Sequence, residues 1–121
     1  FIPLLDSTEK SVFAVLSARV GSIKDNSLGG WTSYRASKAA LNMIIKTISI
    51  ETARTIPNAI IVGLHPGTVD TNLSKPFQKN ISKKKLFSPN YTVEKLLSVI
   101  NNLEAKDSGG FFAWDGKQID Y

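Results

Sequence analysis

The chain has 121 residues, a formal net charge of +5 at pH 7, one histidine and no cysteine. The lack of cysteine excludes thiol catalysis, disulfide bonds and the usual cysteine and histidine zinc sites, so no metal is expected. No run of about eighteen apolar residues is present, so we expect no membrane-spanning helix and predict a cytoplasmic protein.

A strand is predicted at residues 11–17, followed by a loop that reaches Gly30. The strand is a short, continuous apolar run, which is typical of a parallel strand buried on both faces. Glycine and asparagine residues punctuate the segment after it, and these residues favour turns and loops.

A long helix is predicted to begin at Trp31 and to end at Arg54, because this segment is rich in helix formers and lacks glycine and proline. Its apolar residues spread around most of the circumference, so the helix needs cover on two sides. We expect one side to pack on the sheet. The other side would pack against a neighbouring helix or a second subunit, which predicts a homo-oligomer.

Tyr34 and Lys38 lie four residues apart on this helix, a spacing that places two side chains on one face. A phenol in water ionises too weakly near neutral pH for easy proton exchange, whereas a nearby positive charge stabilises the phenolate. The pair therefore indicates a tyrosine that acts as an acid and base. The alternative is a surface pair in which the lysine extends into water beside an ordinary aromatic ring.

The second predicted strand spans residues 60–64 and ends at the turn His65-Pro66-Gly67. Proline lacks an N–H donor and glycine tolerates unusual torsions, so both residues favour the end of a strand. His65 has no second histidine as a partner, and no G-x-S-x-G motif supplies a nucleophile for it. We expect it to be a structural histidine.

Residues 68–86 are predicted to form a loop with one short helix. The loop contains a cluster of lysines: Lys79, Lys83, Lys84 and Lys85. No aromatic residues interleave with these lysines, so the basic segment does not indicate nucleic-acid binding. We predict a solvated loop face, with an anion-contacting patch as the alternative.

The last predicted elements are a helix at residues 93–105, capped by Thr92, and a strand at residues 111–114. Four residues are expected to form the apolar stripe of the helix: Leu96, Leu97, Ile100 and Leu103. The two tryptophans, Trp31 and Trp114, are predicted to be packing aromatics. Strands that alternate with helices favour parallel pairing, so the predicted fold class is α/β with about three parallel strands flanked by helices.

Two segments carry a family resemblance: residues 33–42, which include Tyr34 and Lys38, and residues 64–71. Together they resemble the classical short-chain dehydrogenases/reductases, and most closely the C-factor-like and Sniffer-type carbonyl reductases. The resemblance implies the C-terminal half of a Rossmann-like doubly wound fold, so residues 1–121 would form a single partial domain. The family's Gly-rich cofactor turn is not found in the chain, and the first strand would expose an edge that the other half covers.

This resemblance implies an NAD(P)-dependent oxidoreductase that acts on a small-molecule carbonyl or alcohol. Tyr34 would donate a proton to the substrate oxygen, and Lys38 would stabilise the phenolate and hydrogen-bond the nicotinamide ribose. The preference between NAD and NADP cannot be read, because the residue that distinguishes the ribose 2′ position belongs to the other half of the fold.

A second set of residues matches the Pro-Gly segment of the family: Pro66, Gly67, Val69 and Thr71. The resemblance implies that the backbone near Val69 and the hydroxyl of Thr71 hold the nicotinamide carboxamide. The ends of parallel strands present free N–H and C=O groups to ligands above the sheet. The alternative is a plain turn that leaves the strand.

The family's catalytic serine is missing from its usual position. Alignment of residues 17–21 with the common Ser-Ser-x-x-Gly pattern puts Ala18 where that serine is expected, so Ser17 and Ser22 are the candidate stand-ins. Ser22 lies in the flexible part of the loop and could swing toward Tyr34, or it could simply form a turn.

The departure at Ala18 leaves two other functional hypotheses open beside the enzyme. A binding or signalling protein could keep the fold and have weak or no turnover. The 121 residues could also be an inactive fragment of an enzyme, because the pyrophosphate-binding turn is not among them.

Overall fold

The computed structural model describes residues 1–80 and 86–121, without the side chains of residues 77, 79 and 80. In chain order its elements are β1 (Ser11–Leu16), α1 (Thr32–Thr52), β2 (Ala59–His65), β3 (Thr68–Val69), β4 (Leu86–Phe87), α2 (Pro89–Asn102) and β5 (Phe111–Ala113). The predicted lysine-rich face falls outside the described part at Lys83, Lys84, Lys85 and the side chain of Lys79. None of the described helices is long and apolar enough to cross a membrane.

A parallel three-stranded sheet in the order β1-β2-β5 forms the centre of the molecule and confirms the predicted α/β class. Successive side chains of the buried central strand β2 point to opposite faces. Ile60, Val62 and Leu64 pack with Val99 of α2. On the other face, Gly63 lies against Ile45 of α1. The two long helices therefore cover opposite faces of β2.

The prediction that β1 is a parallel strand is confirmed, but the prediction that both of its faces are buried is wrong. Ala14 is exposed, and Leu16 keeps 58% of its surface exposed. β1 pairs only with β2 among the described strands, so it is an edge strand, and one of its faces is incompletely covered. An exposed edge at the first strand is what the family resemblance implies.

α1 occupies the position of the long predicted helix. Its buried residues follow one line that faces the sheet: Asn42, Ile45, Ser49 and Thr52. On the opposite side Met43, Ile44 and Ile50 are each at least half exposed. The helix thus has cover on one side, as predicted, and a second apolar side that no described residue covers.

The predicted loop of residues 68–86 contains a small second sheet that sequence reasoning missed. β3 and β4 pair in parallel, and a 3₁₀ helix at Lys75–Asn80 lies between them in the chain. Two-residue strands carry too short a pattern to be recognised, because alternation needs about four residues to be visible.

α2 begins four residues earlier than predicted, and its cap is Ser88 rather than Thr92. The Ser88 hydroxyl accepts the N–H of Tyr91, and Pro89 occupies the first helical turn, where its missing donor is harmless. Thr92 is buried inside the helix. The prediction that Leu97 belongs to the apolar stripe of this helix is wrong, because Leu97 is 52% exposed and Val99 lies in the core instead.

β5 is confirmed as the third strand, and the chain folds back along its outer edge. After a turn at Gly116, the N–H of Ala113 donates to the Lys117 carbonyl at 2.8 Å, and the N–H of Ile119 donates to the Phe111 carbonyl at 2.7 Å. This hairpin protects the edge of β5, because its backbone groups are paired.

The two tryptophans differ in their surroundings. Trp114 packs edge-on against Phe87 with ring centroids 4.6 Å apart, so its prediction as a packing aromatic is confirmed. Trp31 keeps 59% of its surface exposed and is not a core residue.

Candidate active site

The candidate site lies at the edge of the sheet where β1 and β2 end. The N–H of Ser17 donates to the Leu64 carbonyl at 2.8 Å, so the two strand ends stay together beyond the last paired residues. The N–H of Arg19 then donates to Nδ1 of His65 at 3.4 Å. Ligands of open α/β sheets bind at this carboxyl edge.

Tyr34 and Lys38 lie in the first turns of α1, beside this edge. The Nζ atom of Lys38 donates to the carbonyl of Leu16, the last residue of β1, at 3.2 Å. Tyr34 keeps 49% of its surface exposed. Their four-residue spacing within one regular helix places both side chains on the same face.

Gly21 allows the helix to approach the end of β1 this closely. It ends the 3₁₀ turn Arg19–Gly21, which packs against α1. A Cβ atom on Gly21 would lie 2.7 Å from both the carbonyl carbon and the Cβ of Lys38. Any larger residue would push the backbone of Lys38 away, so this glycine helps to set the position of the lysine.

Asn42 is a residue of the site region that sequence reasoning missed. Its side chain is buried one turn beyond Lys38, and its Oδ1 accepts the hydroxyl of Ser17 at 2.6 Å. The repeated four-residue interval from Tyr34 through Lys38 to Asn42 is the signal that could have found it. Nδ2 of Asn42 has no partner among the described residues.

The candidate serines are both engaged in contacts with the protein itself. The Ser17 hydroxyl donates to Asn42 inside the molecule. Ser22 is only 1% exposed, and its hydroxyl accepts the N–H of Asp25 at 3.0 Å. This contact agrees with a turn-forming serine, and the swing of Ser22 toward Tyr34 stays a prediction. Ala18 is also buried, beside Ser17 at the end of β1.

Gly67 gives the Pro-Gly segment its sharp turn after β2. It has a φ of 77°, and a Cβ atom there would lie 2.6 Å from the Phe87 ring and 3.1 Å from the Trp114 ring. The turn thus rests on an aromatic pair from two distant segments, and only glycine fits the position. Pro66 precedes it at the strand end.

β3 continues from this turn and is held by β4 and by Ser74. The N–H of Asp70 donates to the Phe87 carbonyl, so the neighbouring Val69 turns its backbone groups away from β4. The Ser74 hydroxyl donates to the Val69 carbonyl at 2.5 Å, and accepts the N–H of Thr71 at 3.3 Å. Thr71 itself is exposed.

His65 is neutral near pH 7. Burial lowers its pKa from 6.5 to about 4, and the nearby positive charge of Arg19 contributes in the same direction. Its Nδ1 accepts a backbone N–H, which fixes the ring at the end of β2. The expected structural role agrees with these contacts. The described residues contain no cluster of acidic, histidine or cysteine side chains that could hold a metal ion.

Comparisons with known proteins point to one family of enzymes, although no family model matches the chain. The chain is 35% identical to a 1-hydroxy-2-glutathionyl-2-methyl-3-butene dehydrogenase of Rhodococcus, over 94% of the chain and 47% of that protein. It is 36% identical to C-signal of Myxococcus xanthus, over 88% of the chain and 58% of that protein. The chain therefore spans about half the length of the curated relatives it matches.

Solved structures give the same result. The NADPH-bound carbonyl reductase from chicken fatty liver is 34% identical, with a TM-score of 0.78 over 91% of this chain and 42% of that one. The carbonyl reductase Sniffer of D. melanogaster is 28% identical, with a TM-score of 0.77 over 91% of this chain and 41% of that one. Fold and sequence agree, and the chain belongs to the short-chain dehydrogenase/reductase family.

Proposed function

We propose that the full-length protein is an NAD(P)-dependent oxidoreductase that reduces the carbonyl group of a small molecule or oxidises the corresponding alcohol. The position of Lys38 carries the proposal, because its ammonium reaches the end of β1 one helical turn from Tyr34. The names of two similar proteins, a dehydrogenase and an NADPH-bound carbonyl reductase, support the same class of reaction.

Tyr34 is the proposed acid and base. About half of its surface is exposed, so a substrate can reach the hydroxyl. In reduction, the phenol O–H bond breaks and its proton goes to the carbonyl oxygen. In oxidation, the phenolate takes the proton of the alcohol. A nicotinamide cofactor, when bound, supplies or accepts the hydride.

The residues at the strand ends fit the nicotinamide end of such a cofactor. Lys38 uses one donor on a backbone carbonyl, and an ammonium has three, so two can serve ribose hydroxyls. The Val69 N–H is directed away from β4, while its carbonyl already accepts the Ser74 hydroxyl, and Thr71 is an exposed residue. Together with the turn at Pro66 and Gly67, they offer polar groups to a carboxamide. We therefore propose that the cofactor is NAD or NADP.

A panel of dialdehydes and quinones, assayed with NADPH and with NADH, tests the proposal in the full-length protein. We expect cofactor oxidation with at least one substrate. Tyr34→Phe removes the proton donor, so kcat should fall at least about a hundredfold. Lys38→Met should lower kcat and weaken cofactor binding, because it removes the ammonium that both steps use.

Two control variants separate these effects from general damage. Tyr91→Phe removes a partly exposed phenol hydroxyl from α2, and Lys46→Met removes an exposed ammonium two turns beyond Lys38. Both should keep kcat near that of the wild type. Absence of cofactor oxidation across the panel would refute the proposed oxidoreductase activity. Equal turnover in wild type and Tyr34→Phe would refute the proposed role of Tyr34.

Ser22 is proposed as the stand-in for the missing serine, although its hydroxyl faces Asp25. To reach a substrate on Tyr34 it would have to leave that contact. Ser22→Ala tests this role in the same assay. A drop in kcat with unchanged cofactor affinity would support it, and unchanged turnover would exclude it.

A second candidate function is a binding or signalling protein with little or no turnover. Two observations favour it: Ala18 replaces the expected serine, and one relative is named C-signal. Retention of Tyr34 and Lys38 argues for the enzyme, because a protein without turnover has no chemical need for the pair. The same panel distinguishes the two functions.

A further inference from the structure

Arg35 connects two loop segments that flank the start of α1. Its Nη2 and Nε donate to the Gly29 carbonyl at 3.0 and 3.3 Å, and Nε also donates to the Gly30 carbonyl at 2.9 Å. Nη1 donates to the carbonyl of Val20 at 3.2 Å. One guanidinium thus joins the residues just before the helix to the 3₁₀ turn that packs on Lys38.

Residues 29–31, whose carbonyls at Gly29 and Gly30 accept hydrogen bonds from Arg35, have an unusual backbone. Gly29, Gly30 and Trp31 have φ values of 66°, 73° and 50°, so three consecutive residues are left-handed. Trp31 is the sole residue other than glycine with a positive φ in the described ranges. A bulky residue rarely adopts this conformation unless its surroundings hold it there, and such residues concentrate at functional sites.

We propose that Arg35 is a positioning residue for the carbonyl substrate: it holds the left-handed segment 29–31 in place beside Tyr34. This inference rests on the proposed function of Tyr34. The segment ends at Trp31, the N-cap of α1, which lies three residues and about one helical turn before Tyr34. A change in its backbone torsions would therefore move groups close to the phenol. Loss of the Arg35 hydrogen bonds would misplace the substrate. Lys38 would keep its cofactor contacts, because Gly21 still packs against its backbone and its ammonium still donates to the Leu16 carbonyl.

The geometry requires a guanidinium rather than a positive charge. All three guanidinium nitrogens donate to these three carbonyls, and the planar fork of arginine presents its five donors to several acceptors at once. A lysine has a single nitrogen and cannot span all three groups. We therefore expect Arg35→Lys to behave like Arg35→Gln, which removes the charge as well.

Kinetics and amide hydrogen exchange of the full-length protein test the inference together. Both Arg35 variants should raise KM for the carbonyl substrate roughly tenfold, with NADPH affinity within about twofold of the wild type. Amides of residues 23–31 should exchange faster in the same variants. Unchanged KM and exchange, or a loss in Arg35→Gln that Arg35→Lys restores, would overturn the proposal.

A glycine pair gives a test that leaves Arg35 in place. Gly30→Ala adds a Cβ atom where the described residues leave open space, so it perturbs only the left-handed torsion. Gly116→Ala is the matched control, with a φ of 82° and equally open surroundings in the turn after β5. KM should rise in the first variant and not in the second, and equal effects would contradict the inference.

Failure of the inference can be told from failure of the proposed function. If wild type turns over and Tyr34→Phe does not, the enzyme stands, and the Arg35 result judges the positioning role alone. If wild type shows no cofactor oxidation, faster exchange at residues 23–31 still tests whether Arg35 holds the segment. Unchanged exchange in that case would show that Arg35 does not hold this segment in place.

Discussion

At the scale of single residues, Gly21 and Lys38 show how packing places a side chain of the proposed site. The lysine is held by a hydrogen bond to the end of β1 and by a helix backbone that touches the glycine. Neither contact is part of the proposed proton transfer, yet both help to decide where the ammonium lies. A site on one helix is therefore completed by a turn from another part of the chain.

Ala18 leads to a prediction at the same scale. Ala18→Ser should restore the hydroxyl that the family resemblance places beside the substrate oxygen, and one hydrogen bond of about 1.4 kcal/mol corresponds to a tenfold rise in kcat. Steady-state kinetics of the full-length protein check this. Ala53→Ser, at the far end of α1, is the control and should leave kcat unchanged. No rise in Ala18→Ser would contradict the assignment of that position.

At the scale of elements, the exposed apolar side of α1 is the main unexplained surface. Met43, Ile44 and Ile50 lie along it, and each is at least half exposed. We propose that a second copy of the protein covers this side, as the helix pattern predicts. A helix that presents apolar groups on two sides is usually covered on both in its functional assembly.

Analytical ultracentrifugation of the full-length protein tests this proposal. Wild type should sediment as an oligomer, and Ile44→Glu should shift it to the monomer, because a buried unpaired charge opposes association. Leu97→Glu is the matched control: it changes a similarly exposed residue on α2 and should leave the oligomer intact. A monodisperse wild-type monomer at high concentration would reject the second copy.

Local patterns explain which elements could be predicted from the sequence. α1 and β2 have long apolar patterns, and their bounds differ from the predicted ones by no more than two residues. The Tyr34 and Lys38 pair was readable for the same reason, because its interval lies within one helix. β3 and β4 were missed since their partners lie far apart in the chain and each strand is short.

Long-range contacts explain what was missed at the site. The Ser17 and Asn42 pair joins residues 25 positions apart, and no local pattern shows that these two side chains meet. The grip of Arg35 on Val20 likewise depends on how a turn packs against α1. The burial of Ser22 has the same origin. Such contacts form only when distant segments pack together, so local sequence patterns could not predict them.

At the scale of the whole molecule, the chain contains the proposed catalytic pair and the proposed nicotinamide segment, and it spans about half the length of its curated relatives. We propose that residues 1–121 act as one partial domain, in which β1 presents an unpaired edge among the described strands. A doubly wound fold binds a dinucleotide across both of its halves, so one half alone supplies only part of the contacts with the dinucleotide.

Isothermal calorimetry of a protein limited to residues 1–121 tests this partial-domain proposal. We expect no measurable NADPH binding, because the pyrophosphate turn is not among these residues. The full-length protein is the matched control and should bind. A micromolar dissociation constant for the 121 residues would show that this part holds the cofactor without the turn.

We propose that Tyr34 transfers the proton in a carbonyl reduction. Single-turnover oxidation of bound NADPH by the full-length protein measures that step apart from product release. We predict that Tyr34→Phe slows it at least about a hundredfold while the NADPH dissociation constant stays the same. Equal single-turnover rates in wild type and Tyr34→Phe would show that Tyr34 does not transfer the proton.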